Sequence, residues 1–185
     1  MSTSESKSKV KYIITNIGTP LLVAAVAFVL MLVTGFHIVT VDGTSMENTL
    51  LSGEKIISTN FLYTPQNGDI VVISMQNTKF KNIIKRVIAV EGQTLELDYD
   101  NNKIYVDGKQ LEEPYLDCST FEGNRGNYDI PSVIPEGKIF VLGDNRGVSL
   151  DSRNSTIGLV DKKDVVGKAH FTIFPFDRFG GYDNK

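Results

Sequence analysis

A chain of 185 residues with 41% hydrophobic side chains is long enough for one domain with a real core and too short for two comfortable ones. Its formal net charge of −3 argues against a nucleic-acid partner, which requires clustered positive charge. The single cysteine, Cys118, excludes an internal disulfide, and with only His37 and His170 beside it a Cys/His zinc site lacks ligands.

No formally charged side chain stands between Tyr12 and Val41, and the stretch from Leu21 to Val33 is apolar without interruption. A bilayer crossing takes about 20 mostly apolar residues, so residues 16–40 are expected to form a transmembrane anchor. Lys7, Lys9 and Lys11 precede it, whereas Asp42, Glu47 and Glu54 come before the next basic residue, Lys55. The positive-inside bias then makes residues 1–15 a cytoplasmic basic tail and 41–185 an extracytoplasmic domain, with the chain a single-pass protein of the cell membrane. A cleavable secretory signal shares the basic start and apolar stretch. Its small-x-small site is missing after the core, because Ala24, Ala25 and Ala27 lie inside it.

Beyond the anchor, short runs rich in Ile, Val and Phe alternate with turn formers: 55–58, 69–75, 82–90, 94–97, 103–106, 138–142 and 165–174. Their lengths and β-branched content predict strands. Asp107-Gly108 between Val106 and Lys109 predicts a type I′ hairpin. No long helical period occurs outside the apolar segment. The expected fold class is mainly β, an extracytoplasmic domain of twisted antiparallel sheets or a partly closed barrel after one N-terminal membrane helix. Residues 115–135, with scattered Gly, Asn and Pro, read as a long surface excursion.

Four residues past Val41 stands Ser45, in Gly43-Thr44-Ser45-Met46. A serine hydroxyl needs a neighbouring base before it acts as a nucleophile. His37 falls within the outer end of the anchor, and His170, among Ala169, Phe171 and Ile173, reads as a satisfied imidazole. Cys118 has no identifiable base and reads as an incidental small residue. A lysine serves as base only when neutral, which burial in apolar surroundings favours. Strand alternation in Asn82–Val90 puts Lys85 on one face with Ile83, Val87 and Ala89, and Arg86 on the other. An edge lysine whose stem covers apolar surface is the alternative that composition leaves open.

The segment 143–153, Gly-Asp-Asn-Arg-Gly-Val-Ser-Leu-Asp-Ser-Arg, predicts a tightly turned loop after a strand. It offers Ser149 as an uncharged acceptor to orient Lys85, and Asp151 and Arg153 as a pair that fixes the loop. A calcium loop fits poorly, since Arg146 and Val148 fall where acidic ligands belong.

Together these segments resemble bacterial type I signal peptidases, membrane-anchored Ser/Lys endopeptidases. Residues 41–50 resemble the family's nucleophile box, 68–72 a structural strand box, 85–88 the general-base box and 143–153 the last box, in order and after one anchor. The resemblance implies Ser45 as nucleophile, Lys85 as general base, Ser149 as the hydroxyl orienting Lys85, and Asp151 and Arg153 as supporting residues. It implies Val41, Met46, Leu50 and Ile84 as walls of shallow pockets for small side chains. It further implies preproteins with signal peptides as substrates, the lipid bilayer as a partner, and no metal or cofactor. Three positions depart from the family pattern. Asn48 stands where proline is common, so a looser turn after Ser45 is expected, and Gly147-Val148 replaces a more polar pair. Gly43 replaces a residue that in some members carries an oxyanion-binding hydroxyl, so oxyanion stabilisation is expected from the backbone of Ser45 and Gly43. The rival readings are an inactive membrane-anchored β domain that binds extracellular partners, and a self-cleaving Ser/Lys repressor, which would carry a DNA-binding domain and no anchor.

Overall fold

The computed structural model describes residues 12, 14–75, 82–116, 121 and 124–182. Lys7, Lys9, Lys11, Lys79, Lys81, Cys118 and Gly123 lie outside the described residues. The chain divides into two compact units, Met1–Phe36 and His37–Lys185.

In the first unit a π-helical turn, Ile14–Gly18, runs directly into an α-helix, Thr19–Gly35. Pro20 sits in the first turn of that helix, where a missing N–H removes no intrahelical bond. Leu21, Leu22, Val23, Ala24, Val26, Ala27, Phe28, Val29 and Leu30 are exposed, and at helical spacing they cover its whole circumference. Among the described residues no helix is long and apolar enough to cross a membrane. The segment 16–40 is not a single helix. It ends as a helix at Gly35 and continues as strand β1, Phe36–Thr40. The aromatic and β-branched residues Phe36, Ile38, Val39 and Thr40 favour extended backbone, and glycine at 35 weakens the helix just before them.

The second unit is built on strands β2 (Lys55–Thr59), β3 (Ile70–Ser74), β4 (Asn82–Val90), β5 (Leu95–Asp98), β6 (Lys103–Val106), β7 (Lys109–Gln110), β8 (Lys138–Leu142), β9 (Val160–Asp161), β10 (Val165–Phe174) and β11 (Gly180–Gly181). Eight strands form one sheet in the order β1-β2-β10-β3-β4-β8-β9, with β11 added to β10, and β5-β6-β7 form a second. The pairs β2–β10, β10–β3, β3–β4, β4–β8 and β8–β9 are antiparallel. The large sheet is open, with β1 and β9 as its ends, so antiparallel sheets are present and no barrel closes among the described residues.

All seven predicted strands are present, four with coincident ends. Asp107 and Gly108 both take positive φ, 51° and 71°, and close the β6–β7 hairpin with Val106 opposite Lys109. Strand alternation sends Ile70, Val72 and Ile84 into a cluster with Val41, Met46, Leu50 and Ile56 on one face. Val71, Ile73 and Val87 join Ile139, Val141 and Val165 in another cluster. Covered in this way, β3 and β4 read as nearly continuous apolar runs, which is why Lys85 and Arg86 in the middle of one are chemically conspicuous.

Residues 115–135 are more than a surface excursion in their described part. Phe121 and Ile134 are buried in the β5–β6–β8 cluster, Thr94 bridges Val133, and the N–H groups of Asn127 and Tyr128 both donate to the Arg153 carbonyl. The sequence shows weak periodicity there because the anchoring residues are single contacts rather than a repeating face.

Candidate active site

The turn that carries Ser45 is fixed at its base. Val41 N–H donates to the Glu54 carbonyl at 2.8 Å, and Gly53 N–H donates back to the Val41 carbonyl at 2.9 Å. Glu47 N–H donates to the Thr44 carbonyl and Leu50 N–H to the Met46 carbonyl, while Met46 and Leu50 are sunk in the core. Asn48 closes this turn at φ 85°, a left-handed value that asparagine tolerates and proline, locked near −65°, cannot take. The turn is thus tight rather than loosened, and asparagine suits its local conformation.

Lys85 lies opposite Val71 in the β3–β4 ladder and is only 3% exposed. Its Nζ donates to Ser45 Oγ at 2.6 Å and to the Ile84 carbonyl at 3.0 Å. Burial pushes the amine down to about 8, and the nearby Arg153 charge acts in the same direction. The carboxylates of Asp151 and Asp144 oppose that lowering without cancelling it.

Two buried ion pairs help to hold the 143–153 loop, beside the pair of Arg146 with Glu113. Arg86 Nε and Nη2 donate to the two oxygens of Asp144 at 2.9 and 2.8 Å, and its Nη1 donates to the Gly68 carbonyl. Its guanidinium also stacks over the Tyr115 ring at 3.7 Å. Arg153 Nε and Nη2 donate to Asp151, each at 2.8 Å, and Asp151 Oδ2 accepts the Gly143 N–H. The loop then grips the serine turn. Thr49 Oγ1 donates to Asp144 Oδ2 at 2.5 Å, and Asn145 N–H donates to the Ser45 carbonyl at 3.1 Å. Gly143 is required by this approach: a Cβ there would fall 2.2 Å from Ser149 Oγ and 2.3 Å from the Ser45 carbonyl oxygen.

Ser149 Oγ is buried against Gly143 and makes no hydrogen bond to the described residues, Lys85 included. A buried hydroxyl without a partner costs about 1–3 kcal/mol. Gly43 takes φ 89°, and its N–H is already committed to Ser52 Oγ at 3.2 Å. Ser45 N–H has no hydrogen bond to the described residues.

An open cleft of about 930 Å³ exposes Ser45, with Ile38, Thr40, Asp42, Asn82, Ile83, Ile84, Lys85, Val148, Leu150 and Ile157 among its walls. Of the four expected pocket residues, Ile84 lines the cleft. Val41, Met46 and Leu50 lie in the packed cluster with Ile84 and are themselves buried. The structure therefore brings Ser45, Lys85 and Ile84 to one cleft, with Asp151 and Arg153 behind it. His170 is elsewhere, on β10, with Nε2 bonded to Thr59 Oγ1.

Sequence reasoning missed Thr49, Asp144 and the partnership of Arg86 with both. The available signal was Arg86 itself, since an arginine inside an apolar strand demands a buried counter-ion.

The signal peptidase family model, peptidase S26, matches residues 14–174. Signal peptidase IB of Staphylococcus aureus is 39% identical over 175 residues, 84% of this chain and 88% of that one. Signal peptidase I of Bacillus amyloliquefaciens is 32% identical over 185 residues, 96% of this chain and 97% of its own. A crystal structure of a signal peptidase I from Enterococcus faecalis aligns with 57% of this chain and 97% of its own at 30% identity and a TM-score of 0.48. With a family match across most of its length and relatives this similar over nearly all of theirs, the chain belongs to the signal peptidase family, peptidase S26, a family of serine endopeptidases.

Proposed function

We propose that the protein removes N-terminal signal peptides from secreted preproteins at the outer face of the cytoplasmic membrane, with Ser45 as nucleophile and Lys85 as general base. The observation that carries this reading is the 2.6 Å contact between Lys85 Nζ and Ser45 Oγ, made by an amine that burial lowers to about 8. At pH 7 about one such amine in ten is neutral. Its lone pair then takes the Ser45 proton, reversing the donor role of the ammonium form.

Ser45 Oγ attacks the scissile carbonyl and forms a tetrahedral oxyanion, for which the unengaged Ser45 N–H is the available backbone donor. Gly43 N–H joins only if it leaves Ser52. Collapse breaks the C–N bond, and the Lys85 ammonium returns its proton to the departing amine of the mature protein. The remaining ester is hydrolysed by a water that Lys85 deprotonates, which frees the signal-peptide carboxylate and restores Ser45. Ser149, with a free buried hydroxyl, is the group to orient the lysine during this cycle, while Asp151 and Arg153 hold its loop.

The substrate enters as an extended chain along the end strand β1, with only small side chains admitted beside Ile84. Val41, Met46 and Leu50 act from behind as the packed floor. The anchor in this reading is the π turn and α-helix taken together, five and seventeen residues with no charged side chain. At about 1.5 Å per residue they span on the order of 30 Å, and a helix that is apolar all round suits lipid. In this reading the cytoplasmic tail is residues 1–13, and the body from residue 41 faces outward.

Incubating the detergent-solubilised full chain with a preprotein and sequencing the new N-terminus tests the proposal. Cleavage after a small-x-small motif by the wild type, lost at least 1000-fold in Ser45→Ala, is the expected result. Near-normal cleavage by Ser45→Ala would refute it.

A further inference from the structure

The Ser45 turn is held from a second side by the end of the chain. Thr49 presents its hydroxyl to Asp144 and its carbonyl to Arg178, whose Nη2 donates at 3.2 Å. Arg178 lies in a short 3-10 turn, Phe176–Arg178, that follows β10. Its Nε pairs with Glu54, a carboxylate only 2% exposed. The second Glu54 oxygen accepts from Thr172 Oγ1 at 3.1 Å, and Thr172 shares a 3.0 Å hydrogen bond with Tyr182 OH. The Glu54 carbonyl in turn accepts the Val41 N–H at the entrance to the serine turn. Both ends of that turn, Val41 and Thr49, therefore meet one Glu54–Arg178 pair, its carboxylate buried and its guanidinium side chain 30% exposed, supplied partly by the C-terminal segment.

We infer that Arg178 is a positioning residue: the C-terminal turn acts as a latch that, through Glu54 and the Thr49 carbonyl, sets where Ser45 Oγ stands relative to Lys85 Nζ. This rests on the reading of Ser45 as nucleophile. Internal hydrogen bonds make the turn stiff, so a shift at Thr49 is carried to Ser45, and a displacement of about 1 Å in a reacting group costs on the order of 100-fold in rate. Neither Arg178 nor Glu54 lines the cleft, and neither figures among the charges acting on Lys85. The latch thus acts on reactivity and leaves substrate affinity and the lysine's titration alone. Lysine at 178 keeps the charge for Glu54 but lacks the planar fork that reaches two acceptors at once.

The test is preprotein cleavage by the full-length enzyme in detergent, comparing wild type, R178K and R178A well below each one's unfolding temperature. The latch predicts kcat about tenfold or more lower in R178A and an intermediate loss in R178K, with KM and the pH midpoint of activity unchanged. If R178A does not fold, R178K alone decides, by a lowered kcat or none. A kcat equal to wild type in folded R178K, with only the unfolding temperature reduced, overturns the latch. So does a loss that appears in KM or moves the pH midpoint. Absence of cleavage by the wild type overturns the proposed function as well, whereas active wild type with equally active variants overturns the latch only.

Discussion

Lys85 is the residue on which the chemistry turns, and its burial has consequences for stability as well as for rate. Because burial lowers the amine from 10.5 to about 8, protonated Lys85 is disfavoured in the folded state relative to the unfolded chain. The penalty is fully present below about pH 8, falls away as pH rises towards 10.5, and amounts to roughly 3 kcal/mol at about 1.36 kcal/mol per unit. Lys85→Met, which keeps the aliphatic stem, is expected to raise stability at pH 7 by up to about that much while abolishing cleavage. Denaturant unfolding at pH 7 and preprotein assays check the two halves together. For the wild type, kcat/KM should rise about tenfold per pH unit below a midpoint near 8 and level off above it. Two neighbouring positions are as sharply constrained. Gly143→Ala drives a methyl group into Ser149 Oγ and the Ser45 carbonyl, and a loss of about 100-fold in kcat is expected from the displaced serine. Asn48→Pro must abandon φ 85°, and thermal unfolding should show destabilisation of at least about 3 kcal/mol.

At the scale of elements, the strands were legible where long runs of β-branched residues fill two-sided burial, as in Asn82–Val90 and Val165–Phe174. The two-residue strands β7, β9 and β11 have no periodicity and exist because a neighbouring edge accepts them. Strand β1 was absorbed into the expected anchor because Phe36, Ile38 and Val39 suit lipid and sheet equally by composition; glycine at 35 is the only local mark of the change. Ser45 and Lys85 were readable because each stands in a short pattern whose neighbours fix its environment. Thr49 was not, since its partners Asp144 and Arg178 are distant in sequence and its own position looks like any polar turn residue. Thr49→Val keeps the shape and deletes the hydroxyl bond between the serine turn and the 143–153 loop. It should cost about 1–3 kcal/mol in denaturant unfolding and reduce kcat.

For the whole molecule, the packed clusters among the described residues draw on the second unit, from Val39 onward. The body thus has its own core. Removing residues 1–36 should leave the thermal transition of the body within a few degrees of the full chain, while membrane partitioning falls. All of these expectations meet in the state of one amine. Titrating Lys85 through the 13Cε resonance of labelled lysine, assigned by its loss in Lys85→Met, tests the central claim most directly. A midpoint near 8 in the folded enzyme is the predicted result, and a midpoint near the ordinary 10.5 would contradict the account.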